Sequence, residues 1–469
     1  MSWAQHRRRR AVEAGLPPLV RTSRGPDHPV TPAQHRLWLL DQAGPRIAYN
    51  ITLSRRLRGP IDLVALRHAT RVVSRRHEAL RTTFAEAGGQ VRQRLHADLP
   101  PEVVLREPPP GGPPFTEADI RRMVDAEATR PMCLRTGPLL RLWLVRCAPT
   151  EHVLVLSVHH IVADGWSLRV IAAELAAVYR ARVDGDEAGL PPVDLHLVDV
   201  VDWRRSWLRG EHLQRYLDFA DRSGVLRAVA SPPLPPTRSD PVAGTGVRHG
   251  FDVAPGVADR LRRYAADLGL TLFTVMLAAY ALLLTRHGGG RDLLIGSPAA
   301  NRSRPELARV VGYLVTIMPL RLVMDADERV ADLLTRVGAA VTDAFAHQAA
   351  TIEDLLTAAD PHTDLRTAYP ITALFALHSF HRGDTVLAAT TDEPYPIHAK
   401  DTEFPLALSI LDGGPELHGY LGYDPRQYDA ALADRLVTDY RSILTAMAAA
   451  DPDARTAALL TARDDPGRP

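Results

Sequence analysis

Seven consecutive residues carry the most chemical potential in this chain: His159, His160, Ile161, Val162, Ala163, Asp164 and Gly165. They close a run dense in Leu and Val that reads as a buried strand. Successive side chains on a strand point to opposite faces, so the two imidazoles cannot converge on one small ligand. That argues against a two-histidine metal site, where a helical i, i+4 spacing is expected. One histidine should face a cavity while the other locks the strand end from behind. An imidazole, with an ordinary pKa of about 6.5, suits proton transfer near neutral pH. Asp164 has two readings: it orients the imidazole as in a catalytic triad, or it holds the loop's shape through an arginine. No G-x-S-x-G elbow accompanies the pair, so direct transfer without a covalent acyl-enzyme is the simpler chemistry. Gly165 permits a sharp turn and close backbone approach, and its N–H could meet a developing oxyanion. A buried histidine pair at a strand end serves packing as readily as catalysis, and these residues alone do not decide between the two.

The elements around this segment follow from period and punctuation. Leu139 to Arg146 and His152 to His160, separated by Ala148, Pro149 and Thr150, read as neighbouring strands of a buried sheet. Gly165 and Trp166 lead into a helix with Leu168, Ile171, Leu175, Val178 and Tyr179 on its apolar positions. Upstream, Thr31 and Pro32 cap a helix start and a second helix runs from Asp62 to His77. The cluster Pro108 to Pro114 marks an exposed loop, and a second break, Ser231 to Thr245, falls near the midpoint and suggests two lobes of similar size. The second half repeats the grammar: helices Val257 to Leu268 and Thr271 to Leu284, strands Leu293 to Gly296 and Val315 to Leu322, and a closing helix Leu432 to Met447. No short tandem period points to a solenoid or propeller.

Composition narrows the classes further. The 469 residues allow about three domains, or two large ones. With 46% apolar and 24% charged residues the chain is an ordinary globular protein, and 56 basic residues against 55 acidic give no bulk electrostatic case for nucleic acid. Lys400 is the only lysine, an excess of arginine that reads as genomic base composition. Cys133 and Cys147 cannot build a disulfide framework or a four-ligand zinc site, so a reducing cytoplasm fits. No apolar stretch follows the arginines near Met1, and the longest apolar segment, Leu272 to Leu284, is too short to span a bilayer and reads as a buried helix.

The spacing H-H-x-x-x-D-G followed by Trp-Ser resembles the active-site signature of condensation domains of nonribosomal peptide synthetases, members of the chloramphenicol acetyltransferase-like superfamily. Other segments fall in that family's order. Thr31 to Leu40 resembles the opening S-x-A-Q-x-R-L-W-x-L motif and Arg76 to Phe84, RHEALRTTF, the second. Gly296 to Leu322 resembles the floor loop and fifth motif, His347 and Gln348 begin the sixth, and Arg366 to Phe375 resembles the seventh. The resemblance covers roughly Val30 to Met447.

The resemblance implies an α/β fold of two chloramphenicol-acetyltransferase-like lobes in a V-shaped pseudo-dimer, with the active site in a tunnel between them. The implied organisation is a flexible basic arm over 1–29 and an N-terminal lobe over 30–205 carrying the histidines. An inter-lobe connection over 206–246, a C-terminal lobe over 247–450 with floor loop and latch, and a tail over 451–469 follow. His160 matches the catalytic histidine, and the Gly165 N–H is a candidate oxyanion donor. His159, Asp164 and Arg302 look structural, with an Asp164 to Arg302 salt bridge expected, and Trp166, Ser167, Tyr313 and Thr316 fall on the substrate channel. The implied partner is a donor acyl or peptidyl carrier protein whose 4'-phosphopantetheine presents the thioester. The acceptor is carrier-bound or a soluble small molecule. On the same resemblance the chain itself is expected to bind no cofactor or metal, to meet no nucleic acid or membrane, and to be a cytoplasmic, free-standing monomer.

Departures from the pattern bear on the acceptor. Thr316 and Ile317 stand where the fifth motif has Asn-Thr, the fourth is eroded to Leu197, Asp199 and Trp203, and Ala349, Thr351 and Ile352 replace an Asp and Pro-Phe in the sixth. The expected product is an amide; the runner-up is an ester-forming acyltransferase using a soluble alcohol or amine. Epimerisation relatives carry an E-G-H-G-R signature missing near Asn301, and heterocyclisation relatives an aspartate at the position of His159. Noncatalytic, oxygenase-recruiting relatives lose the H-H-x-x-x-D-G motif, which leaves a docking protein as the third reading.

Overall fold

The computed structural model describes residues 16–22, 25–43, 49–227, 232–238, 246–379, 391–397 and 404–461. The expected arm at 1–15, part of the midpoint break and the end of the tail lie outside them.

The first half is built on a five-stranded sheet. Four of its strands are β2 (Asn50–Arg58), β5 (Glu102–Arg106), β6 (Leu140–Ala148) and β7 (Glu151–His159), in the order β2, β7, β6, β5, and the second half contributes the fifth, beside β2. The β6–β7 hairpin alternates by face, as a strand buried on both sides must. Leu142, Leu144, Leu154 and Leu156 enter one core together with α1 (Pro32–Gln42), α2 (Leu63–Arg76) and α4 (Gly165–Asp184). Trp143, Val145, Val153 and Val155 face the other way, against Ile120 and Val124 of α3 (Glu117–Ala128). A small sheet of β1 (Asp27–Pro29), β4 (Gln90–Leu95) and β3 (Thr82–Ala87) lies alongside.

Two helices, α5 (Leu197–Trp207) and α6 (Gly210–Arg222), lead to the second half. There β8 (Val247–Val253), β9 (Asp292–Ala299), β10 (Thr316–Val323), β11 (Ala373–Ser379), β13 (Leu406–Asp412) and β14 (Leu417–Tyr423) form a sheet in the order β10, β9, β11, β13, β14, β8. Over it pack α7 (Pro255–Asp267), α8 (Leu272–Arg286), α9 (Val330–Ala346) and α11 (Ala430–Ala448). Helix α8 is buried without interruption from Thr274 to Leu284, which explains its apolar sequence. Among the described residues no single helix is long and apolar enough to cross a bilayer.

The halves are stitched together. Strand β12 (Thr391–Pro394) belongs to the second half by sequence but pairs antiparallel with β2 at the edge of the first sheet, reinforced by Arg55 to Asp392. Helix α10 (Ile352–Ala359) packs on α1. The residues that replace the sixth motif's Pro-Phe build its start, where Thr351 and Asp354 form a reciprocal capping box.

Three expected boundaries shift. The flexible arm does not extend to residue 29. Residues 16–22 are held, with the Trp203 indole donating to the Pro17 carbonyl and the Thr22 N–H to Asp199, and Asp27–Pro29 pairs with β4. Asp199 and Trp203, retained from the eroded fourth motif, thus serve as anchors for this segment. The connection drawn from residue 206 cuts through α5 and contains the whole of α6, whose Tyr216 and Ala220 pack against Ala350 and Leu355. The tail is bound as far as 461, where α12 (Thr456–Leu460) buries Leu459 and Val330 donates to the Ala454 carbonyl.

Candidate active site at the end of strand β7

Strand β7 stops at His159 because the chain turns there. His160–Val162 form one 3-10 turn, and Asp164 then caps α4 by accepting from the Ser167 N–H at 2.8 Å. The turn is clamped from below by Gln34, which is fully buried. Its carbonyl accepts from the Thr31 N–H while its amide donates to the Ile161 carbonyl at 3.0 Å. Sequence reasoning quoted the opening motif but did not assign Gln34 to the site; an amide inside an otherwise apolar helix face was the available signal.

The two histidines have opposite environments. His159 is 1% exposed, and its Nδ1 accepts from the Ile161 N–H at 3.1 Å. Desolvation, with smaller contributions from His160 and Arg141, pushes its pKa down to about 3, so it is a neutral, immobile ring. Beside it runs a buried network in which Glu127 pairs with Arg141 at 2.6 Å and with Arg130 at 2.8 Å. His160 is half-buried. Its backbone N–H donates to the Tyr49 carbonyl at 2.6 Å, and its Nδ1 lies 2.9 Å from the Ala163 carbonyl. A carbonyl only accepts, so Nδ1 carries the proton and the neutral ring keeps its lone pair on Nε2. That is the tautomer a general base requires.

Asp164 is 1% exposed and collects five donors. Oδ1 takes the N–H and hydroxyl of Ser167, both at 2.8 Å, while Oδ2 takes Arg302 at 2.7 Å and the N–H groups of Leu314 and Val315 at 3.1 Å. No contact to either imidazole is among them, so of the two sequence readings the geometry favours the loop-holding one. Arg302 also reaches the carbonyls of Ala300 and Val310 and the Ser167 oxygen. Its side chain is 2% exposed, which makes this a buried ion pair between the halves.

The expected channel residues separate. Tyr313 meets the His160 ring edge-on, with centroids 4.9 Å apart and planes at 68°. Trp166 borders the same corner, its indole donating to the Ala308 carbonyl at 2.8 Å. Ser167 is a correction: it is fully buried, and its hydroxyl group is engaged by Asp164, Arg302 and both backbone groups of Gly312. Thr316 is corrected as well, being 4% exposed at the start of β10, where it pairs with Ala299. Close packing surrounds Ser167, because its partner Gly312 lies so near α5 that a methyl group there would sit 2.7 Å from Leu197. Gly165 departs from its expected reason. Its φ is not positive and a Cβ would meet nothing within 4 Å, so no tight approach demands the glycine. It is instead exposed at the first position of α4, where an N–H has no intrahelical partner.

Comparison with known proteins places this geometry in a family. A family model described as Condensation domain matches residues 26–466. Phosphinothricin tripeptide synthetase PhsC of Streptomyces viridochromogenes is 34% identical over 97% of this chain and 42% of its own length. A linear gramicidin synthase of Brevibacillus parabrevis is 31% identical over 96% of this chain and 6% of its own. The chain therefore spans less than half the length of these curated relatives. Among solved structures, an X-domain in complex with OxyB from teicoplanin biosynthesis superposes with a TM-score of 0.83 at 26% identity, covering 96% of this chain and 99% of that one. The condensation domain from Monacolin K polyketide synthase MokA gives 0.78 at 20% identity, covering 93% of this chain and all of that one, a likeness of fold.

Proposed function

Because the chain belongs to the condensation-domain family, we propose that it transfers an acyl or aminoacyl group from a carrier-bound phosphopantetheine thioester to an amine, forming an amide bond. The observation that carries this reading is the His160 ring, pinned through Nδ1 to Ala163 with Nε2 left as the basic nitrogen. A thioester is already activated, so the protein need only align two substrates and manage one proton. The amine nitrogen attacks the thioester carbon and its proton passes to His160 Nε2. The tetrahedral intermediate's oxyanion is met by the Gly165 N–H; collapse breaks the C–S bond, and the proton goes from His160 to the departing thiolate. An α-ammonium, with a pKa of about 8, must shed its first proton before attack, which favours mildly alkaline conditions. Phosphopantetheine here is the donor's own tether and substrate. The carrier partner's acidic surface would meet a chain whose basic residues are almost all arginine.

The deciding experiment is intact-mass detection of acyl transfer from a loaded carrier protein to amine and alcohol acceptors. Amide product lost in His160→Ala supports the reading; ester product alone favours the alcohol-acceptor reading. A docking role is favoured by one observation, the likeness to an X-domain solved together with OxyB. A folded protein that binds a partner but transfers nothing would establish that role instead.

A further inference from the structure

We infer that Tyr313 positions the His160 imidazole and limits the size of the nucleophile that reaches Nε2, a role that rests on the acyl-transfer reading above. His160 is tied at Nδ1 by a single hydrogen bond to Ala163. The χ2 torsion of histidine is broad and roughly two-fold, so one bond at one ring atom leaves the imidazole room to swing. The aromatic ring packed against it comes from the opposite half of the molecule: Tyr313, edge-on at 4.9 Å. That ring closes the second degree of freedom.

The backbone on each side of Tyr313 is fixed by several bonds. Gly312 donates its N–H to the Ser167 oxygen at 3.1 Å and accepts at its carbonyl from the same hydroxyl at 3.0 Å. Leu314 and Val315 both donate to Asp164 Oδ2. Residues 312, 314 and 315 are therefore all bonded to the first turn of α4 and its cap, and the Tyr313 side chain is held toward the strand end that carries His160. Tyr313 itself is half-buried, one part against the imidazole and part of it open. In this role the open part of the ring borders the nucleophile's path to the imidazole, so its bulk sets the width of the approach as well as the rotamer. The floor loop thus sets both the aim of the base and the bulk of its substrate.

The test uses Tyr313→Phe, Tyr313→Leu and Tyr313→Ala in the full chain, with a loaded carrier donor and a pair of primary amines, one small and one bulky, beside wild type and His160→Ala. Tyr313→Phe keeps the ring beside the imidazole and should fall between wild type and the truncations in both kcat and selectivity. Tyr313→Leu and Tyr313→Ala should lower kcat for the small amine about tenfold, a typical cost of lost alignment, while raising the bulky-to-small ratio of kcat/KM. The leucine variant conserves much of the volume and keeps the test valid should alanine fold poorly. Unchanged kcat and ratio in both truncations overturn the inference, as does a Phe variant as impaired as Ala. A folded wild type that transfers to neither amine overturns the acyl-transfer reading and this role with it; an active wild type with indifferent Tyr313 variants overturns the role alone.

Discussion

The segment His159 to Ser167 and the floor loop from Ala300 to Thr316 meet at one corner of the molecule and contribute in opposite ways. The first segment holds His160 and the Gly165 N–H, to which the proposed reaction assigns the proton and the oxyanion, within nine consecutive residues. The second is assigned neither. It supplies Arg302, the N–H groups of Leu314 and Val315 and the ring of Tyr313, all of which act on shape. Chemistry here is local in sequence, while the geometry that makes it usable arrives from 138 residues away, the separation of Arg302 from Asp164.

The sharpest way to break that division is to remove the base. His160→Ala should lower kcat/KM by roughly two to four orders of magnitude, the usual worth of a positioned general base, with an unchanged thermal midpoint. The structure gives no reason for instability, since His160 is half-buried and its side chain makes one hydrogen bond. Single-turnover transfer and a melting curve check both halves of this statement; a large fall in stability would mean the chemical segment is also scaffold.

Arg302→Ala is the converse. It strands the Asp164 carboxylate at 1% exposure with its ion pair gone, which costs about 3–5 kcal/mol in comparable buried pairs. Denaturant unfolding should show the loss directly. Arg302→Lys should not rescue it, because the guanidinium divides its two terminal nitrogens among Asp164, Ser167 and the carbonyls of Ala300 and Val310, a fork that one ammonium cannot reproduce. A fully stable alanine variant would show that the four remaining donors hold Asp164 without the cation.

Gly165 tests the oxyanion donor separately from bulk. At the first helical position proline is tolerated, and Asp164 already has the extended φ of −125° that a following proline prefers. Gly165→Pro deletes the N–H at little expected cost in stability, whereas Gly165→Ala keeps the N–H and adds a methyl in open space. If the N–H meets the oxyanion, the proline variant should lose about 100-fold or more in kcat and the alanine variant much less. Equal losses in the two would assign the effect to crowding.

Much of this corner was legible in the sequence for a physical reason: a strand end, a cap and a helix start are set by neighbours in the chain. His159 falls in the strand and Gly165 at the helix start where period and punctuation place them, whereas His160, read as the strand's last residue, lies one position past it in the 3-10 turn; the Leu272–Arg286 helix is buried as its composition requires. What sequence reasoning misplaced depended on distant packing. Ser167 follows the histidine motif as a channel residue would, but its hydroxyl is consumed by Asp164 and the floor loop. The stretches 16–22 and 25–29 look like a charged arm because the periodic signal is weak there, yet two side chains of α5 hold the first and β4 pairs with Asp27–Pro29 of the second. Gln34 and the Ala163 carbonyl were overlooked because their role is to bond the turn, and such partners leave no trace in composition.

The smallest expected effect distinguishes the two histidines of the chemical segment from each other. His159 is fully buried with its pKa pushed down to about 3, against about 6.5 in the unfolded chain. The unfolded state therefore binds the extra proton first, so the stability contributed by burying a neutral ring is complete above pH 6.5 and is lost progressively as pH falls toward 3. One pH unit below the unfolded value the loss is about 1.4 kcal/mol, and carboxylates, with ordinary values near 4, contribute little so high in the range. His35 and His152 are also held down by burial and slope the same way, so the measurement that isolates His159 is a difference. Urea midpoints of wild type and His159→Asn, compared at pH 7.5 and 5.5, should show the variant less stable at the higher pH but less sensitive to acid. Parallel slopes would place the buried neutral ring elsewhere.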